Sequence, residues 1–79
     1  MGSSMEGRAA LFDTSQPGVR QLQSWIRQRC ALAVRLADGT TVNGTPRWVD
    51  LDFLGLDPEN GGDLILVNRS AIALIRPLV

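Results

Sequence analysis

All eight basic side chains of this sequence are arginine, and none is lysine. Five of them, Arg20, Arg27, Arg29, Arg35 and Arg47, fall between Pro17 and Val49 against a single acid, Asp38, a local charge of +4. The following stretch, from Asp50 to Asp63, carries five acids and no base. A guanidinium is planar, always charged and donates through a rigid fork, so it suits phosphate or carboxylate. The basic stretch is therefore a candidate polyanion surface, although the net charge of the whole chain is zero and global charge announces no nucleic-acid partner. The plain alternative is an Arg-biased, solvated surface. Asp50 and Asp52 have the types needed for general acid–base chemistry or a metal site. With no His and no third converging ligand, no catalytic residue, metal or cofactor is expected. Asp50 is more simply read as a turn holder that accepts backbone N–H groups. Trp25 and Trp48 offer faces on which a base could stack, but large aromatics in a small fold more often fill a core or an interface. Cys30 reads as a small buried hydrophobe, and Gly61-Gly62 as a turn without the strand and helix of a phosphate loop.

These side chains must be positioned by a single small domain, since the chain has 79 residues. A domain of that size buries only about 60% of the surface its unfolded form exposes. One cysteine and no CxxC exclude an internal disulfide or a zinc staple. Association with further copies is the remaining remedy. The lone thiol fits a reducing, cytoplasmic compartment. No run approaches the roughly 18 apolar residues of a membrane span, and the start has neither the basic region nor the apolar stretch of a signal peptide. Residues 1–14 read as a flexible arm with one apolar patch, Ala9 to Phe12; Met1 to Ser4 are set aside as a candidate expression remnant. The domain proper is expected over 15–79.

Ser15-Gln16-Pro17 predicts a helix start, with Pro17 where its missing N–H costs nothing. Val19, Leu22, Ile26 and Cys30 then make one apolar stripe, which predicts a helix of about 12 residues. After Cys30 the period changes to two. Leu32, Val34 and Leu36 mark a half-buried strand, and Asp38-Gly39 a hairpin turn. A second strand, Thr40 to Val49, is bent by Gly44 and Pro46. A short third strand covers Phe53 to Leu56, a turn runs from Asp57 to Gly62, and two further strands cover Leu64 to Val67 and Ala71 to Ile75. The expected fold is mainly β: an N-terminal helix followed by a strongly bent, five-stranded antiparallel barrel. The last two strands are apolar without clean alternation. Leu64, Ile65, Leu66, Val67, Ile72 and Leu74 are thus expected at a subunit interface, since open apolar edges invite another chain. A heterologous contact of this kind closes a ring when the rotation fits.

Leu36-Ala37-Asp38-Gly39, then Val42, Gly44 and Asp50, resemble the first motif of the Sm-like family. Phe53-Leu54-Gly55-Leu56 follows where that motif continues. Arg69-Ser70-Ala71-Ile72 is similar to the Lys-His-Ala-Ile segment of its bacterial branch, Hfq. The prelude Pro17 to Gln23 and Arg47-Trp48-x-Asp50 look most like cyanobacterial members. The resemblance covers roughly residues 15–77. It implies a homo-oligomeric ring, with a hexamer favoured, joined by strand four of one subunit and strand five of the next. It gives Gly39, Gly44 and Asp50 structural roles.

The resemblance also implies RNA surfaces. The pore-face positions fall on Asp52, Arg69 and Ser70, replacing an aromatic residue and a Lys-His pair. The opposite, distal-face positions fall on Arg35 and Thr41, replacing a Tyr and a Lys. Only the outer rim stays basic, through Arg20, Arg27, Arg29 and Arg47. An acid at Asp52 repels phosphate and offers no stacking face. The expected function is thus a weak, phosphate-dominated RNA-binding ring in post-transcriptional regulation. The alternative is a protein-interaction scaffold, for example pilus-associated, that binds little RNA.

Overall fold

The computed structural model of the chain describes residues 15–78. The arm over residues 1–14, including the Ala9–Phe12 patch, lies outside the described residues. Helix α1 spans Pro17–Gln28, followed by strands β1 (Leu32–Leu36), β2 (Thr41–Val49), β3 (Phe53–Pro58), β4 (Ile65–Asn68) and β5 (Ile72–Pro77). Gln16 is the N-cap, its backbone extended, with no side-chain bond to the helix. Proline in the first turn thus starts the helix without a bond from the Gln16 side chain. Val19 is buried and Trp25 packs against the core, so the apolar stripe faces the sheet.

The five strands form one antiparallel sheet in the order β4-β3-β2-β1-β5. The sheet is bent and unclosed, and each outer strand has one neighbour. Leu32, Val34, Leu54, Leu56 and Val67 make the core cluster. They occupy alternate positions on β1 and β3, with Val67 from β4, which is the inward row expected of a period-two pattern.

Two bulges break the ladder. Pro46 pairs with Leu56 and Trp48 with Gly55, so Arg47 is the extra residue on β2. Arg35 pairs with Leu74 and Leu36 with Ile72, so Ala73 is the extra residue on β5. Buried Pro46 sits beside the first bulge, where the loss of a ladder donor is tolerated. At Gly44 a Cβ would lie 2.6 Å from the backbone oxygen of Asp57; only glycine lets the strands approach that closely. In the hairpin before β2, Gly39 has φ 94° and Asp38 Oδ1 accepts from Thr40 N at 2.9 Å. That backbone bond holds the Asp38 carboxyl below the ordinary range.

Several boundaries differ from the sequence reading. Asp57 and Pro58, expected in a turn, extend β3 because they pair with Thr45 and Gly44. Thr40 stays in the hairpin, its N–H on Asp38. Leu64 precedes β4, and β5 reaches Pro77. Ala71 belongs to a 3-10 turn, Arg69–Ala71, rather than to β5, because Asn68 Oδ1 accepts from Ser70 N at 2.9 Å and caps the turn.

The edge strands show alternation once folded. Val67 is buried on β4, while Leu66 is 53% exposed. On β5, Ile72 and Ile75 lean on the core, while Leu74 is 46% exposed. Among the described residues, no helix is long and apolar enough to cross a membrane.

Candidate nucleic-acid interface

The helix end and β2 build a basic cleft. Helix α1 terminates at Arg29, which takes a left-handed conformation with φ 53°. Its N–H donates to Ile26 O at 3.1 Å, and Cys30 N donates to Trp25 O at 3.0 Å. This turn usually takes glycine, because a Cβ is strained there. It swings Arg29 away from the helix beside Arg27. The bulge at Arg47 aims a third guanidinium at the same place. Arg27, Arg29 and Arg47, with Thr45 and Asp57, line a cleft of about 420 Å³. Arg47 Nη1 donates to Asp57 Oδ2 at 2.7 Å, with the two side chains 60% and 42% exposed. Among the described residues, Asp57 is the one acid lining this cleft. Arg20 joins Arg27, two turns further along the helix, in an adjoining groove with Ser24.

The residues expected at a pore behave differently. Asp50 Oδ1 accepts from Asp52 N at 3.0 Å and from Phe53 N at 2.7 Å, closing the turn into β3. Half-buried Arg69 donates from Nη1 to the backbone oxygens of Asp50, at 2.7 Å, and Leu51, at 3.1 Å. Its own N–H donates to Asp52 O at 2.8 Å. Arg69 therefore clasps the Asp50–Asp52 turn through its backbone oxygens. Ser70 is also engaged: its Oγ donates to Asn68 Oδ1 at 2.8 Å. Asp52 is exposed.

On the sheet face turned away from the core, Arg35 and Thr41 are register partners, and they share a recess of about 180 Å³ with Leu74 and Arg76. Arg76 was not singled out in the sequence. Its signal was available, since it lies two residues after Leu74 and pairs with Ala33, and alternation puts it on the face that carries Arg35. The Ala73 bulge hides this, because it shifts the phase of β5 part-way along. Among the described residues, no group of three or more His, Cys, Asp or Glu could hold a metal ion.

The arrangement of helix, strand order, hairpin glycine and bent β2 has a known counterpart. The family model described as "Hfq related" matches residues 16–77. This chain belongs to the Hfq-related family. A solved structure of an Hfq protein from Anabaena sp. is 26% identical, with a TM-score of 0.68, covering 77% of this chain and 95% of that one. A structure described as the pleiotropic translational regulator Hfq has the same fold at 17% identity, with a TM-score of 0.70, over 76% and 97% of the two chains. A search of curated protein sequences gives no match. Both likenesses agree with the Sm-like fold, a helix followed by five antiparallel strands. In this Hfq-related chain the basic groups gather where helix meets β2, and the turn after β2 spends its polar groups on itself.

Proposed function

We propose that copies of this chain join through the open edges of β4 and β5 into a homo-oligomeric ring, with six subunits favoured by the family resemblance, and that the ring binds RNA weakly through phosphate contacts in post-transcriptional regulation. Both edges carry exposed leucines on the outer face: Leu64 and Leu66 at β4, and Leu74 on β5, each more than two-fifths exposed. Antiparallel addition of β5 from one copy to β4 of the next sets these leucines side by side and satisfies both rows of backbone groups. Ile65, Val67 and Ile72 continue the same junction on the core side.

The cleft of Arg27, Arg29 and Arg47 carries the RNA reading. Three guanidiniums converge on it against one carboxylate, and Arg27 and Arg29 form no ion pair among the described residues. Arg20 extends the basic path along the helix. On the other sheet face Arg35, Thr41 and Arg76 supply a second set of donors. Arg69 and Ser70, beside exposed Asp52, contribute little at the pore, because their polar groups serve the Asp50–Asp52 and Asn68 turns. Phosphate contact without base readout gives weak, salt-sensitive binding with little sequence preference.

The test is a titration with short U-rich and A-rich RNA at several salt concentrations, beside native mass measurement of the assembly. Binding to both that weakens steeply with salt supports the reading. Salt-insensitive or undetectable binding ends it, and a well-folded monomer at high dilution ends the ring.

The clasped Arg69 and the exposed Asp52 carboxylate favour a second reading, a protein scaffold with little RNA affinity in which the acidic Asp50–Asp63 stretch faces the partner. Partners that remain bound after nuclease treatment support the scaffold, and partners that are lost support RNA.

A further inference from the structure

Trp48 lies flat on the outer sheet face beside the basic cleft, and the two together have the parts needed for single-stranded nucleic acid. A Cβ at Gly55 would lie 2.8, 3.0 and 3.1 Å from Cε2, Cζ2 and Cδ2 of Trp48. Three ring atoms at nearly equal distance mean that the indole rests face-down on Gly55. One face of the ring is thus covered by the sheet; the residue is 39% exposed, so the other face is open. Gly55 and Asp57 are two apart on β3 and point to the same side. Their register partners on β2 are Trp48 and Thr45. The indole therefore occupies the row next to Thr45 and Asp57, which line the cleft of Arg27, Arg29 and Arg47. The rows are about 7 Å apart, the scale of one nucleotide step from phosphate to base.

We infer that Trp48 is a stacking platform for an unpaired RNA base whose phosphates lie in the neighbouring arginine cleft. The inference rests on the RNA reading above and adds a residue and a contact type to it. A flat indole with one open face beside guanidiniums matches the aromatic platform and electrostatic groove of single-strand binders. A second copy of the chain is the rival occupant of this face. It would add its strand beyond β4, two strand spacings, about 10 Å, from β3, where the indole rests. Leu66, 53% exposed and paired with Gly55 across β3 and β4, stands between. The leucines of the edges meet each other and leave the indole open.

The test uses the full chain in its native assembly. The W25F variant leaves Trp48 as the only tryptophan, and the difference spectrum between wild type and W48F gives the same signal with Trp25 unchanged. Addition of short U-rich or A-rich RNA should quench Trp48 emission saturably, at the concentrations where fluorescence anisotropy of labelled RNA reports binding. Polyphosphate, which has no base, should occupy the cleft without that quench. W48L should weaken RNA binding about tenfold and W48F much less, with the assembly mass unchanged. RNA binding by anisotropy with no quench and an unaffected W48L overturns the inference and leaves the RNA reading standing. Undetectable RNA binding by anisotropy overturns both. Trp48 shielded from acrylamide in the RNA-free assembly shows that another copy covers the ring, and also overturns the inference.

Discussion

Two arginine–acid meeting points in this molecule look alike in sequence and differ in kind. At the turn after β2, Arg69 donates to two backbone oxygens, 2.7 and 3.1 Å away. Asp50 meanwhile turns its carboxylate onto backbone N–H groups. At the helix end, Arg47 meets the Asp57 carboxylate directly at 2.7 Å, with both side chains largely in water. The first arrangement satisfies backbone groups that a tight turn would leave without partners, so both side chains are committed to structure. The second is a solvent-exposed ion pair, a class worth only about 0–1 kcal/mol. Its members remain free to exchange partners. An arginine near an acid is thus part of the scaffold in one place and available to a ligand in the other, and the acceptor atom decides which.

Substitutions can break or sharpen this contrast. The largest effect on stability is expected at the clasp. Arg69→Met removes two charge-assisted bonds to half-exposed carbonyls and should cost about 1–2 kcal/mol in chemical denaturation, with a smaller change in the salt dependence of RNA binding than a cleft arginine gives. An unchanged midpoint would make Arg69 an ordinary surface charge. In the cleft the order reverses. Arg27→Gln and Arg29→Gln should each lower the slope of log affinity against log salt by about 1, while the denaturation midpoint stays nearly constant. Arg29→Gly separates the two roles within one residue. It relieves a side chain held at φ 53° and should raise stability by about 0.5–1 kcal/mol while weakening RNA binding. A loss of stability would show that the left-handed turn is held by contacts of the Arg29 side chain. The smallest change in stability belongs to Asp57→Asn, within about 1 kcal/mol. The same change should tighten RNA binding at low salt, because it frees Arg47 and removes the one carboxylate in the cleft. Weaker binding would mean that Asp57 positions Arg47 for the ligand.

Much of the fold was legible because it rests on local chemistry. Pro17 and the apolar stripe from Val19 set a helix whose start and 12-residue length the structure reproduces, although it ends at Gln28, before the last stripe residue, Cys30. Leu32, Val34 and Leu36 mark β1 by alternation. Asp38-Gly39 and Gly44 mark the hairpin and the bend of β2. Boundaries were lost where long-range pairing outweighed turn chemistry. Asp57-Pro58 reads as a turn in isolation, yet its partners Thr45 and Gly44 draw it into β3. Of the site residues, the arginines were visible as types, but the company each keeps was not. Arg76 was missed because the Ala73 bulge changes the phase of β5, and a bulge of that kind has no marker in the residues themselves.

The division follows the range of the forces involved. Sequence alone determined the order of elements, the start of α1, the inward row of β1 and the glycines at which the chain turns or bends. Each follows from one residue's backbone preference or from a spacing of two to four residues. Tertiary structure alone decided that Arg69 grips the turn nineteen residues before it, that Arg47 reaches Asp57 ten residues on, and that Trp48 lies on Gly55. These depend on strand register, and register is set only when the whole inward row packs at once, since a slip of one residue would turn every core side chain to the solvent.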